Sequence, residues 1–283
     1  MKNRYTIDEP IILIDYLTQV LDKSHKKAKT LLTKGAIYVN GQNITKYNYP
    51  LLPGYTIEIK EFNKNDMDSR VGIIYEDKDI IVVNKPYGML TISTETEKEK
   101  TLYHLVSNYV KVKNKNARIF VIHRLDRETS GLIVFAKNEK IKNLYQENWN
   151  DLAIYRGYVA VVEGKPEVKM RKIVSYLAEN RHMKVYSTSP NNGKKAITNY
   201  KVIKTKGNYS LLDINLETGR KNQIRVAMQD MKTPIAGDQK YGAKTDPVKR
   251  LCLHSHKLIL RNPINKTRME FKTDMPEFIK KIC

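Results

Sequence analysis

The residues best suited to chemistry lie in one stretch, His123-Arg124-Leu125-Asp126-Arg127-Glu128-Thr129-Ser130-Gly131. It follows the apolar run Ile119-Phe120-Val121-Ile122 and leads into Leu132-Ile133-Val134-Phe135-Ala136. Two strand-like segments therefore bracket a polar turn. Asp126 stands there between two guanidiniums, with an imidazole three residues before it. Core packing asks for none of these groups, so Asp126 reads as a carboxylate held for chemistry. Arg–Asp neighbours are also common as plain ion pairs, and Asp126 by itself does not separate the two readings.

The elements that must position this turn follow a mixed pattern. Strand-like runs recur at Ile80–Val83, Leu132–Ala136, Tyr158–Val162, Ala196–Ile203, Tyr209–Leu216 and Leu258–Leu260. Helices are expected at Thr101–Val110, Lys140–Trp149 and Lys221–Met228. Strands and helices mix without regular alternation, which predicts an α+β fold with a mixed, mostly antiparallel sheet over residues 71–283. Ahead of it, residues 63–70 are polar and aperiodic and read as a linker.

Residues 1–62 read as a small unit of helices and short strands. Pro10–Leu17 carries an apolar helical face. Ser24 suits an N-cap for the helix from His25 to Leu32, with Gly35 as its stop. Ala28, Leu31 and Leu32 share one face of that helix, while Lys26, Lys27 and Lys29 spread around the outside. Ile37-Tyr38-Val39, a turn at Asn40-Gly41, and Tyr55–Ile59 complete the unit.

Composition narrows the partner. Lys and Arg number 51 against 30 Asp and Glu, a formal charge of +21 over 283 residues. At 41% hydrophobic residues the chain is a folding one, and its charge favours a polyphosphate through counterion release. Two cysteines, Cys252 and Cys283, supply neither a disulfide framework nor a metal pair. No apolar run approaches the ~20 residues of a membrane span. A cytoplasmic protein with no membrane association is expected.

The nine-residue turn resembles the signature of the RluA-type family of RNA pseudouridine synthases, His-Arg-Leu-Asp-x-x-Thr-Ser-Gly. Other segments match in order: Asn84-Lys85-Pro86-Tyr87-Gly88, Tyr158-Val159-Ala160-Val161-Val162-Glu163-Gly164, and Thr218-Gly219-Arg220 with Gln223-Ile224-Arg225-Val226. Pro234, Gly237-Asp238, Tyr241-Gly242 and His254-Ser255-His256-Lys257-Leu258 follow. The N-terminal unit resembles the alpha-L RNA-binding domain through Lys27-Ala28, Leu32, Lys34-Gly35-Ala36-Ile37-Tyr38-Val39-Asn40-Gly41 and Gly54. That likeness implies RNA contacts from Lys26, Lys27, Lys29 and Lys34.

The resemblance implies isomerisation of uridine in RNA to pseudouridine. The bond from C1′ to the base nitrogen breaks, the uracil turns, and C5 bonds to C1′. No cofactor is needed, and no metal. Asp126 would be the catalytic aspartate, attacking covalently or supporting a charged or glycal-type intermediate. Arg225 would pair with it, and Tyr158 would pack on the base and is a candidate for handling the C5 proton. His123, Arg124, Lys85 and Arg220 would contact the substrate. The implied partner is RNA, large-subunit ribosomal RNA first and tRNA second, with the protein a monomer. A non-catalytic RNA chaperone or ribosome-assembly factor on the same scaffold is the reading from a different class.

Some positions depart from the family pattern. Arg156 stands where Lys is usual, Lys221-Asn222 replaces a common Thr-His or Ser-His, and Ala227 replaces a His. Thr91-Ile92-Ser93 stands where an apolar-His-Pro sequence is frequent. These departures bear on which uridine is chosen rather than on reaction class. His254 and His256 alternate on a strand, but two imidazoles without further ligands rarely hold zinc.

Overall fold

The structure, a computed structural model, describes residues 4–33, 36–59, 71–95, 97 and 100–283. The chain divides into two compact units, residues 1–66 and 67–283. The expected linker at 63–70 lies outside the described residues, as do Lys34 and Gly35, the expected helix stop.

In the first unit the elements are β1 (Arg4–Thr6), β2 (Ile11–Ile12), α1 (Leu13–Asp15), α2 (His25–Thr33), β3 (Ile37–Val39), β4 (Gln42–Asn43), β5 (Pro50–Leu51) and β6 (Thr56–Ile59). The sheet runs β1-β6-β3-β4, and β2 pairs with β5. Pro10–Leu17 is therefore part strand and part helix, continuing into a wider helical turn over Tyr16–Val20. Ser24 caps α2, its Oγ accepting from the Lys27 N–H at 3.3 Å. Ala28 and Leu32 enter the core with Leu13, Leu17, Ile37 and Ile57, while Lys26, Lys27 and Lys29 stay exposed. Asn40 (φ 48°) and Gly41 (φ 80°) are both left-handed, as a two-residue hairpin requires.

The second unit holds β7 (Gly72–Glu76), β8 (Ile80–Lys85), α3 (Leu102–Lys113), β9 (Phe120–Val121), β10 (Ser130–Ala136), α4 (Glu139–Glu147), α5 (Trp149–Leu152), β11 (Tyr155–Glu163), β12 (Met170–Glu179), β13 (Val185–Ser187), β14 (Lys194–Lys206), β15 (Tyr209–Leu216), α6 (Gln223–Asp230), β16 (Leu253–Arg261), β17 (Arg268–Lys272) and α7 (Glu277–Ile282). Its 11-stranded sheet runs β13-β12-β14-β15-β11-β16-β10-β8-β7, with β17 added to β16 and β9 to β10. The pairing of β10 with β16 is parallel and the others are antiparallel, giving the mixed α+β fold.

Why β8 and β10 are unbroken apolar runs follows from their place. Ile81, Val83, Ile133 and Phe135 pack under α3 through Leu102, Val106 and Val110. Ile80, Val82, Leu132, Val134 and Ala136 pack on the other face against Ile141, Tyr145 and Leu152 of α4 and α5. Strands covered on both faces lose the polar alternation of a half-exposed strand. Over β11, β15 and β16 a second core forms with Ile224, Ala227 and Met228 of α6 and Phe278, Ile279 and Ile282 of α7. Tyr158 touches both this core and the one under α3.

Several boundaries differ from the sequence pattern: the helix expected at Lys140–Trp149 is divided into α4 and α5, the strand expected from Tyr158 starts at Tyr155, and two others differ for reasons the structure makes plain. The helix expected at Lys221–Met228 begins instead at Gln223, because Asn222 is left-handed (φ 53°) and cannot belong to a right-handed helix. The strand expected at Leu258–Leu260 extends back to Leu253, carrying polar His254 and Ser255 into the sheet interior.

Candidate active site

The 123–131 turn is fastened at each of its bends. Thr91 is buried and uses its hydroxyl twice on Leu125, donating to the carbonyl at 2.8 Å and accepting from the N–H at 3.3 Å. Arg127 bonds Gly88 in both directions: its Nε donates to the Gly88 carbonyl at 3.1 Å, and its carbonyl accepts the Gly88 N–H at 3.0 Å. Asp126 and Thr129 close the bend through a 3.1 Å backbone bond. Gly131 has φ +115°, and a Cβ there would lie 2.1 Å from the Ser255 carbonyl oxygen. Only glycine lets β10 pair in parallel with β16 this closely, Ser130 opposite His254 and Gly131 opposite Ser255.

Lys85 is part of this fastening. Its side chain is wholly buried and donates to the carbonyls of Pro86 (3.1 Å), Met89 (2.7 Å) and Arg127 (3.1 Å). Burial lowers its pKa to about 7 against the pull of Asp126. The expected substrate contact from Lys85 is thus corrected: all three ammonium donors are committed to backbone, and the group ties the 86–89 turn to the 123–131 turn.

Asp126 has, among the described residues, no hydrogen bond or ion pair on its carboxylate. Burial raises its pKa above the usual carboxylate value, while the charges of Arg225, Lys85 and Lys221 pull the other way and Glu128 adds to the rise. The result is a half-buried carboxylate under the field of nearby cations, with no ion pair to any of them.

Arg225 differs from expectation. Its guanidinium grips Asp238, Nε to Oδ2 at 2.7 Å and Nη2 to Oδ1 at 2.6 Å, and its Nη2 also meets Glu128 Oε2 at 3.0 Å. It lies over the Tyr241 ring at 4.9 Å. Burial opposes its charge, but the bonds and charge of Asp238 outweigh that and leave its pKa raised. The pairing expected with Asp126 is replaced by a two-pronged bond to Asp238, whose side chain is fully buried, because parallel N–H donors fit a carboxylate best there. Arg225 reaches Asp126 as a field rather than as a contact.

Tyr158 lies opposite Ser255 in the β11–β16 pairing. Burial drives its pKa to about 12, with Arg156 and Ser255 opposing and Asp126 reinforcing the rise. It is a neutral phenol in this state. Arg156 is itself buried, with Nε donating to the Leu216 carbonyl at 3.1 Å, so the departure from Lys is used as a rigid fork against backbone.

The proposed substrate contacts separate. His123 stacks on Trp149 at 4.9 Å and its Nε2 accepts the Val134 N–H at 3.2 Å. Burial and Arg156 lower its pKa to about 3, so it is a neutral, internally bonded ring rather than an open donor to substrate. Arg124 is exposed and carries no partner among the described residues, which leaves its guanidinium available. Arg220 is exposed too, its Nε held by the Lys195 carbonyl at 3.1 Å. It lines a cavity of about 590 Å³ with Lys221, Lys194, Glu179, Asn191 and Asn192. Lys221 is the link from this cavity to Asp126, and it ion-pairs with Glu179.

Sequence reasoning gave no role to Asp238, Glu128 or Ser255, and read Thr91 only as a departure bearing on the choice of uridine, where the structure has it bonded to Leu125. The Gly237-Asp238 pair was the one signal for the first: Gly237 (φ +82°) packs where a Cβ would lie 2.1 Å from the Arg250 carbonyl oxygen, and so turns Asp238 inward. His254 and His256 take different partners, Ser130 and Thr273 for the former and Asp213 for the latter. Among the described residues no group of His, Cys, Asp and Glu has the arrangement of a metal site. No helix there is long and apolar enough to cross a membrane.

A mixed sheet, a half-buried carboxylate without a bonded partner, and a tyrosine and an arginine from distant segments that interact with it electrostatically together define a class. Residues 79–230 match the family model for RNA pseudouridylate synthase. The chain belongs to that family and is an RNA pseudouridine synthase, an enzyme that isomerises uridine in RNA. It is 35% identical over 219 residues to ribosomal large subunit pseudouridine synthase D of Borreliella burgdorferi, covering 75% of this chain and 66% of that protein. It is 31% identical to an uncharacterized RNA pseudouridine synthase of Bacillus subtilis, YlyB, covering 90% of this chain and 87% of that one. The fold is that of human RNA pseudouridylate synthase domain containing 4, with a TM-score of 0.61, 23% identity, and 74% and 90% of the two chains covered.

Proposed function

We propose that the enzyme isomerises specific uridines of large-subunit ribosomal RNA, with Asp126 acting at C1′. The observation that carries the chemical part is the state of Asp126. A half-buried carboxylate that is unpaired and set on a turn fastened at each bend is costly to the fold and suited to a developing positive charge on a sugar. Breaking the C1′–N1 bond leaves an electron-poor sugar carbon and a uracil anion. Asp126 meets the carbon, either as a covalent partner or as a counter-charge. The base turns and C5 bonds to C1′; the proton leaves C5 and one is gained at N1, so the reaction balances without a co-reactant.

Tyr158 supports this as a neutral ring against which the freed base packs; a phenol whose pKa is about 12 is a poor base until the environment changes. Arg225 holds the local field that keeps Asp126 ionised. Arg124 is the exposed group free to meet the RNA where the target nucleotide leaves its stack. The large-subunit target rests on relatives so named, in Borreliella burgdorferi and in Yersinia pestis, the latter 30% identical over 278 residues. The N-terminal unit, as an alpha-L type anchor, brings Lys26, Lys27 and Lys29 to the RNA backbone.

The test is conversion of uridine in unmodified ribosomal RNA by the purified protein, with Asp126→Asn beside it. Wild-type protein should form pseudouridine at defined large-subunit positions. Asp126→Asn should bind the same RNA and form none. Wild-type turnover in the Asn variant would remove the mechanistic role, and conversion confined to tRNA would remove the proposed substrate.

A further inference from the structure

Behind the 123–131 turn runs a second polar arrangement that the reaction as described does not use. Ser130 is buried at the start of β10, one residue before the obligatory Gly131. Its hydroxyl receives an N–H from Arg250 Nη2 at 2.7 Å and meets His254 Nδ1 at 2.8 Å. On its other side the His254 ring bonds Thr273 through Nε2 at 2.8 Å. Arg250 in turn is clamped between two rings, Tyr87 at 4.6 Å and Phe278 of α7 at 4.8 Å.

The chemistry of the groups gives this chain a direction. A guanidinium can only donate, so the Ser130 oxygen accepts from it and keeps its own proton to give. The arrangement that uses every proton has Ser130 donating to Nδ1 of His254 and Nε2–H donating to Thr273. That needs a neutral imidazole, and burial together with the nearby Arg250 holds His254 at about 3, far below neutral pH. Reversing any member would leave a buried proton without an acceptor.

Arg250 touches both halves of the active site through this geometry. Through Ser130 it fixes the exit of the turn that carries Asp126. Its backbone carbonyl lies against Gly237, the residue before the Asp238 that holds Arg225. Tyr87 belongs to the 86–89 turn that Lys85 and Arg127 join to the same loop. Its flat guanidinium is the one side chain that can stack between two rings and still present an edge donor; an ammonium cannot do both.

We propose that Arg250 is a positioning residue for the isomerisation, holding the exit of the turn that carries Asp126 through its bond to Ser130 while Tyr87 and Phe278 of α7 hold its guanidinium flat. The proposal rests on the assignment of the chain as a pseudouridine synthase. It is separable from it, because wild-type turnover is measured in the same experiment.

The test is a double-mutant cycle of Arg250→Ala and Ser130→Ala on kcat and on RNA affinity. Each single change should lower kcat about 10- to 100-fold, as small misplacements of a reacting group do, with RNA affinity held within about 2-fold. The double variant should be no slower than the slower single, since both break one chain. Guanidinium ion at millimolar concentration should partly restore Arg250→Ala and leave Ser130→Ala unchanged. Arg250→Lys should stay slow, and with Ser130→Ala it carries the test if Arg250→Ala does not fold. Losses that multiply in the double variant, RNA affinity that falls in step with kcat, or full activity in Arg250→Lys would each overturn the proposal.

Discussion

Replacing Asp238 by asparagine isolates the strongest electrostatic contact at the site. Asp238 is fully buried and holds Arg225 at 2.6 and 2.7 Å, while the Arg225 side chain is 6% exposed. Removing one charge of such a pair leaves the other in low dielectric without its counter-ion, which costs about 3–5 kcal/mol. For a unit of this size each kcal/mol moves the melting temperature by about 2–4 °C, so the loss should be about 6–20 °C. The remaining contact of Arg225 with Glu128, at 3.0 Å, pulls the expectation toward the lower end. Glu128→Gln is the matched control, because that carboxylate is 48% exposed and solvent screens it. Its removal should cost no more than about 1 kcal/mol. Differential scanning calorimetry of the two variants, with single-turnover rates on one RNA, decides the matter. Should Asp238→Asn melt with Glu128→Gln, the buried pair is not what holds Arg225, and the account of its field on Asp126 falls with it.

Three further outcomes are expected. Gly131→Ala should cost about 3 kcal/mol or more and abolish turnover, because the added Cβ meets the Ser255 carbonyl at a left-handed φ; a fully active, equally stable variant would contradict the close approach of β10 and β16. The acid limb of the rate profile should lie above the usual carboxylate range, since burial raises Asp126 and activity needs its ionised form, present only above that pKa. Glu128 adds to the rise, so Glu128→Gln should move the limb to lower pH, and a limb that stays in place would separate it from Asp126. Charge removal at Lys26, Lys27 and Lys29 together should lower the slope of log affinity against log salt by about 2 to 3; an unchanged slope would exclude α2 from the RNA contact.

The turn proposed as catalytic was legible as a candidate because its groups are local: Asp126, the arginines beside it and Gly131 sit within nine residues between apolar runs. β8 and β10 were legible because burial on both faces leaves an uninterrupted apolar string. β12 was not, since Met170-Arg171-Lys172 is exposed at the sheet's outer end and carries no period that separates it from a loop. The start of α6 was misplaced because the left-handed turn at Asn222 has no apolar signature. Arg225's partner was not legible either. Its choice of Asp238 over Asp126 depends on Gly237 turning a carboxylate inward, a packing event between residues 237 and 250. Lys85 was read as a substrate contact because a lysine in a glycine-bearing turn looks the same in sequence whether it faces a phosphate or three carbonyls.

The parallel pairing of β10 with β16 has a consequence for when the enzyme becomes active during its synthesis. The Ser130–His254 contact joins positions 124 residues apart, and the turn bearing Asp126 has no fixed exit until β16 is present. At a translation rate of about 5–20 residues per second, a gap of that length takes roughly 6–25 s to make. During that interval the nascent chain already exposes the basic N-terminal helix, while Asp126 lacks the fixed turn of the finished fold. On the roles proposed for that helix and for Asp126, a growing polypeptide engages RNA before any uridine is altered, and isomerisation waits for the last strands of the sheet.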